Sequence, residues 1–258
     1  MCISLSASIL GFNLGGSIHD VLLIKGFFDK LNYLRIKGRM MKKIINVLFL
    51  SASILLLSGC KTYLTTDVKL SKLVDANTDY IDGNIYIEVP SCTSYDDSRV
   101  ESKSLKNIKS RVPVAFKDAV FKECFSQKMN SFAMFTIPIH VSRSTTKKDK
   151  DNEHINIVHT SFNFLGVSIP SYFSKRAKKT FNNNGVIDMS KTTITFNVLN
   201  DTKKSYSVRV FGSFIGGTPG LSRDINIEHN QTAQIVLSDV SSSQAFIEGF
   251  VPVIVLPK

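Results

Sequence analysis

The sequence is poor in the residues and motifs from which catalytic and metal sites are built. It has five histidines and four cysteines. It contains no Gly-x-Ser-x-Gly elbow, no phosphate-binding glycine-rich loop and no His-Glu-x-x-His motif. His154 and His159 lie closest together, and a five-residue separation places them on opposite faces of a strand. We therefore expect no catalytic residue, no metal site and no cofactor, and we predict that the protein is not an enzyme.

The apolar run at residues 44–57 is too short to span a bilayer as a helix, which needs about 20 apolar residues. It follows two lysines and precedes small residues and a cysteine, which is the pattern of a cleaved secretory signal. Residues 57–60, Leu-Ser-Gly-Cys, resemble the lipobox of bacterial lipoproteins. The resemblance implies that the signal peptide 41–59 is removed and that Cys60 carries a diacylglycerol and an N-terminal acyl group. The alternative is a buried apolar helix with a chance cysteine.

Residues 1–40 neither repeat nor complete a signal, and so long a charged extension before a signal peptide is unusual. Residues 37–39, Lys-Gly-Arg, can be encoded by a purine-rich run with the composition of a bacterial ribosome-binding site. We predict that translation starts at Met40 or Met41. Residues 1–40 would then be an untranslated extension that comes from an over-long gene assignment.

The chain from Cys60 onward has 199 residues and a modest positive charge. Seven of the 32 Lys and Arg and two of the 21 Asp and Glu precede Cys60, which leaves a net charge of +6. This length is enough for one large domain or two small ones. The charge does not by itself indicate nucleic-acid binding, and we predict no nucleic-acid partner.

The cysteines fit an oxidising compartment. Cys2 would lie in the untranslated extension and Cys60 would be lipidated, which leaves Cys92 and Cys124 as a pair. We predict a disulfide between these two, which closes a loop of about 30 residues and stabilises the fold by roughly 3 to 4 kcal/mol. The alternative is two buried free thiols.

Periodicity predicts a mixed N-terminal domain over residues 60–185. Ile85, Ile87 and Val89 alternate with polar residues, as in a half-buried strand, and a capped amphipathic helix is expected to end near Pro113. A further helix after Pro170 leads to the Asn-rich tract that we take as the domain boundary.

The last third of the chain has a different pattern. Short alternating segments, such as Ile194, Phe196 and Val198, are separated by turn residues and predict an antiparallel β-sandwich over residues 186–258. The predicted fold class is α+β, with a mixed strand–helix N-terminal part and a sandwich-like C-terminal part.

One basic cluster is a candidate contact surface. Lys175, Arg176, Lys178 and Lys179 are expected on the polar face of the helix that follows Pro170. They could meet anionic headgroups or an acidic partner. The alternative is the charged outer face of a packed helix.

The layout from Met41 onward resembles that of small lipoproteins in bacterial and prophage genomes. It is similar to an uncharacterised group with a Cys-Lys-Thr start, the segment YIEVPSCTSYDDSR and a strand-rich end. No activity comes with this resemblance. In Gram-negative lipoproteins an aspartate after the lipidated cysteine favours the inner membrane, whereas this chain has Lys61. The resemblance therefore implies a lipid-anchored, periplasm-facing protein of the outer membrane, with the inner membrane as the alternative.

These observations favour an envelope lipoprotein that acts as a binding or interaction module. The expected partners are the membrane, through the lipid on Cys60, and an envelope protein. The alternative is a periplasmic hydrolase that acts on cell-wall or lipid material.

Overall fold

The computed structural model describes residues 61–75, 79–144, 153–182 and 189–256. The predicted extension 1–40, the signal peptide 41–59 and Cys60 lie outside the described residues. The described residues belong to one compact unit. None of the helices in these ranges is long and apolar enough to cross a membrane.

Eleven strands and four α-helices make up this part of the chain. The strands are β1 (Thr62–Lys69), β2 (Asp79–Val89), β3 (Val120–Gln127), β4 (Asn130–Ser144), β5 (Ile155–Thr160), β6 (Phe164–Ser168), β7 (Thr192–Leu199), β8 (Tyr206–Ile215), β9 (Thr218–Ile227), β10 (Thr232–Leu237) and β11 (Phe250–Val255). The helices are α1 (Leu70–Asp75), α2 (Lys103–Ala115), α3 (Ser171–Asn182) and α4 (Asp239–Glu248).

Nine strands close into a mixed β-barrel. Their order is β10-β7-β1-β2-β4-β5-β6-β11-β8, and β8 pairs back to β10. Strands β3 and β9 lie outside this ring and pair with β4 and β8. The ring has nine pairs of adjacent strands. The pairs β1–β7 and β4–β5 are parallel, and the other seven pairs are antiparallel.

The barrel corrects the predicted α+β class and its C-terminal sandwich. Strands from 60–185 and from 186–258 share one closed sheet, because β1 pairs with β7 and β6 pairs with β11. Alternating apolar residues show that one face of a strand is buried, and this is true in a sandwich and in a barrel alike. The strand partners, which distinguish the two folds, do not appear in the alternation.

Closure of the ring depends on a bend in β8. Each antiparallel step reverses the strand direction, so a ring of straight strands cannot contain seven of them. Arg209 and Val210 pair with β11, whereas Ser213 and the residues after it pair with β10. Gly212 lies between these two sections with φ +53°, in the left-handed region that favours glycine.

The barrel interior is largely apolar, and its side chains are in register across neighbouring strands. Leu64 on β1 lies opposite Ile85 on β2, which lies opposite Phe135 on β4. All three are at most 2% exposed, and burying such a side chain contributes roughly 1.5 to 3 kcal/mol.

Helices α2 and α3 pack on this core through aromatic contacts. The α2 helix begins at the N-cap Ser102, whose side chain accepts a hydrogen bond from the Leu105 N–H, and it ends two residues after Pro113. Phe116, directly after α2, contacts Phe173 on α3 with ring centroids 5.2 Å apart.

The predicted disulfide between Cys92 and Cys124 is confirmed. The reason lies in the pairing, because β2 and β3 flank the same part of β4. Val89 pairs with Ser131, and Cys124 pairs with Ala133. The disulfide therefore ties the segment that follows β2 to a strand outside the barrel ring.

Candidate functional site

A concave site of about 380 Å³ lies between α3, the end of α4 and the outer face of β5 and β6. We call it the α3–α4 cleft and define it by its polar lining residues, which are Asn156, Ser168, Ser171, Ser174, Lys175, Lys178 and Glu248.

Hydrogen bonds to backbone carbonyls build the walls of the α3–α4 cleft. The Ser168 hydroxyl donates to the Gly249 carbonyl oxygen over 3.1 Å, and the Ile169 N–H donates to the same oxygen over 3.0 Å. The Ser174 hydroxyl on α3 donates to the Phe246 carbonyl oxygen on α4 over 3.2 Å. These bonds join the start of α3 to the end of α4 and so fix the two walls of the cleft to each other.

The floor of the cleft is a buried polar network. Asn156 is 3% exposed, and its amide nitrogen donates to the His154 carbonyl oxygen over 3.0 Å. The amide oxygen then faces Nδ1 of His140 at 2.7 Å. Because an amide oxygen can only accept, we assign the proton of this hydrogen bond to Nδ1 of His140.

Tyr80 brings two of the histidines together. Its ring centroid lies 5.1 Å from that of His140 and 5.6 Å from that of His154. His159 lies on the other face of β5 from Asn156, together with Ile157, and it pairs in register with Leu165 on β6. The sequence pattern did not indicate the His140–His154 pairing, because it depends on the register between β2, β4 and β5.

The structure separates the four residues of the predicted basic cluster. Lys175 and Lys178 line the α3–α4 cleft, because a separation of three residues places them on one side of α3. Lys179 is exposed and does not line it.

Arg176 has a different position from its neighbours. Its Nε donates to the Ala115 carbonyl oxygen over 3.0 Å, and another of its nitrogens donates to the Glu153 carbonyl oxygen over 2.5 Å. Its guanidinium also lies over the Tyr172 and Phe173 rings. Arg176 therefore connects α3 to the end of α2 and to the segment before β5.

The cleft offers positive charge to a ligand. Its lining contains two lysine ammonium groups, from Lys175 and Lys178, and one carboxylate, from Glu248. The hydroxyls of Ser168 and Ser174 already donate to backbone carbonyls, and the two lysines are the charged donors that can turn to a bound anion.

A second surface lies on the outer face of β1, β2, β4 and β3. Tyr63, Tyr86, Phe125 and Phe132 line a groove of about 430 Å³, which we call the aromatic groove. The Tyr63 and Phe132 rings lie 5.9 Å apart, and the Tyr86 and Phe125 rings lie 6.2 Å apart, both edge to face. Alternation in β2 suggests that Tyr86 points outward, but only the strand order places the four rings together.

The described residues contain no group of three or more His, Cys, Asp or Glu side chains arranged to hold a metal ion. The predicted lipidation site, Cys60, lies outside these residues.

Comparison with known proteins identifies the family of the chain. No curated protein and no solved structure matches the chain. A family model described as a domain of unknown function, DUF7424, matches residues 62–258, and the match begins at the first residue of β1. The chain therefore belongs to the uncharacterised family DUF7424.

Proposed function

We propose that the protein is a lipid-anchored envelope lipoprotein that faces the periplasm from the outer membrane and acts as a binding module. The signal pattern that ends at Cys60, and Lys61 directly after it, support the anchor and the membrane. We further propose that the α3–α4 cleft binds an anionic group. The observation that carries this is the placement of Lys175 and Lys178 in one concave site.

Binding fits the cleft better than chemistry does, because three of its other polar groups hold the structure together. The hydroxyls of Ser168 and Ser174 join α3 to α4, and Asn156 orients His140, whose side chain is buried beside β5. A catalytic nucleophile must lie within hydrogen-bond reach of its base. The hydroxyls of Ser168 and Ser174 donate instead to backbone carbonyl oxygens. The lysines have instead the character of point charges that bind an anion.

The ligand class is a phosphate- or carboxylate-bearing molecule. Lysine ammonium groups bind both, since each presents negatively charged oxygens. A soluble muropeptide carries carboxylates, and pyrophosphate carries phosphates alone, so these two probes separate the two sources. An acidic patch on an envelope protein is the remaining source of the same chemistry.

The cleft is tested by isothermal titration of the purified protein with pyrophosphate and with soluble muropeptides. The double variant Lys175→Gln/Lys178→Gln should weaken binding at least about tenfold, which corresponds to 1.4 kcal/mol. The control, Lys106→Gln/Lys179→Gln, removes two exposed lysines that do not line the cleft and should change the affinity less than about twofold. Equal losses in both variants would reject the cleft as the site, and no binding of either probe would reject a small phosphate or carboxylate ligand.

The anchor is tested by the intact mass of the protein extracted from membranes. We expect a species that begins at Cys60 with added diacylglycerol and acyl mass, and no such species for Cys60→Ala. A soluble species that retains the residues before Cys60 would overturn the lipid anchor.

A further inference from the structure

The barrel begins directly at the proposed anchor. Thr62 is the first residue of β1, and the preceding residue, Lys61, is already held by β2. The Lys61 N–H donates to the Glu88 carboxylate over 2.9 Å, and the Glu88 N–H donates to the Lys61 carbonyl oxygen over 2.9 Å. A lipid on Cys60 would therefore hold this end of the barrel within about 4 Å, one residue, of its attachment point.

The β3–β4 hairpin projects past this point. Strands β1 and β4 run in the same direction, since both are antiparallel to β2. Lys61 lies beside Glu88, which pairs with Phe132 on β4. The tip residues Met129 and Lys128 come three and four residues before Phe132, and at 3.3 Å per residue Met129 lies about 10 Å beyond Lys61.

The tip has the side chains of a membrane-interface contact. Met129 is 99% exposed, and Lys128 beside it is exposed with φ 56°. An apolar side chain next to a lysine suits the boundary between headgroups and acyl chains. The aromatic groove begins a few residues along the same hairpin, at Phe125 and Phe132. Tyrosine rings, which the groove also contains, are enriched at this depth of a membrane.

We infer that the tip of the β3–β4 hairpin, Lys128 and Met129, contacts the same bilayer that holds the lipid on Cys60. Met129 enters the headgroup–acyl boundary, and Lys128 meets the phosphate of the headgroups. This inference rests on the proposed lipid anchor. It adds a second contact, which sets the orientation of the barrel on the membrane, because one lipid attachment alone leaves the domain free to tilt.

The chain has no tryptophan, so one introduced tryptophan reports a single position. We compare Met129→Trp with Phe162→Trp in the full lipidated protein, reconstituted into phosphatidylethanolamine–phosphatidylglycerol vesicles with brominated acyl chains. Phe162 is 81% exposed. It lies in the turn after β5. Because β5 runs parallel to β4, this turn is at the end of the strands opposite to the β3–β4 hairpin tip.

We expect a blue-shifted and quenched emission from the tryptophan at position 129, and an unshifted and unquenched emission from the one at position 162. Equal emission from both in protein whose mass shows the lipid would overturn the hairpin contact and leave the anchor standing. A tip that binds a protein partner would give this same result in protein-free vesicles. A mass without the lipid would reject the anchor, and the hairpin inference with it.

The headgroup contact has a separate readout. In the Met129→Trp protein, Lys128→Glu should reduce quenching in vesicles that contain phosphatidylglycerol, because it repels the anionic headgroups. The matched control is Lys203→Glu, an exposed lysine in the turn before β8. Equal quenching for Lys128→Glu and its parent would reject the role of Lys128.

Discussion

Replacing Gly212 by alanine tests the bend that closes the barrel. Gly212 has φ +53°, and an added Cβ would lie 2.4 Å from Oγ of Ser241. That hydroxyl donates to the Gly212 carbonyl oxygen over 2.8 Å, and the Ser238 N–H donates to the same oxygen over 3.0 Å. The new methyl group must therefore displace Ser241 and break its hydrogen bond at the point where α4 begins.

The cost follows from two terms. An alanine in the left-handed region costs about 1 to 2 kcal/mol, and the lost Ser241 hydrogen bond costs about 1 kcal/mol more. We expect Gly212→Ala to lower the free energy of unfolding by about 2 to 3 kcal/mol. For a domain of this size, the melting temperature then falls by roughly 4 to 12 °C.

The assay is urea denaturation, with the midpoint compared at a constant m-value. Gly216→Ala is the matched control, because Gly216 has φ +56° and no atom lies within 4 Å of its added Cβ. The Gly216→Ala variant should lose only the stability that corresponds to an alanine in the left-handed region, about 1 to 2 kcal/mol. In a Ser241→Ala background, Gly212→Ala should cost about 1 kcal/mol less than in the wild type, since no hydroxyl is displaced. A Gly212→Ala protein within about 0.5 kcal/mol of the wild type would refute the bend argument.

Two further predictions concern stability. The double variant Cys92→Ala/Cys124→Ala should lose about 3 to 4 kcal/mol in urea denaturation, because the disulfide closes a loop with a sequence separation of 32; a loss below about 1 kcal/mol would contradict this chain-entropy estimate. Burial raises the pKa of Asp201, but the hydroxyl and N–H of Ser71 donate to its carboxylate and hold the pKa below its usual 3.8. A lowered folded-state pKa gives stability that is present at neutral pH and is lost as the pH falls below 3.8. Asp201→Asn should therefore lose less stability than the wild type between pH 5 and pH 2 in urea denaturation, and equal losses would argue against the Ser71 contact.

Several of the strands and the disulfide could be predicted from the sequence, but β1 and β6 were not. The alternation at Ile85, Ile87 and Val89 predicted a strand, because successive side chains of a strand point to opposite faces. The pairing of Cys92 with Cys124 followed from the cysteine count and the predicted compartment. The proposed lipid anchor also rests on sequence alone, because its pattern is contiguous and is recognised by order and spacing.

The α3–α4 cleft was only partly foreseeable. Helical spacing places Lys175 and Lys178 on one side of α3 and Arg176 on another. The sequence cannot show what that side faces, because the opposite wall comes from α4, about 70 residues later. The aromatic groove has the same origin, since its rings come from four strands.

The sequence by itself indicated which residues are buried in the strands that alternate regularly, such as β2 and β7, since a local period of two carries that information. Only the tertiary structure decided that the sheet closes into a barrel rather than a sandwich. Closure depends on the partner of each strand, on two parallel pairs and on a bend at Gly212. These are long-range choices made by packing one shared core, and no short window of the sequence contains them.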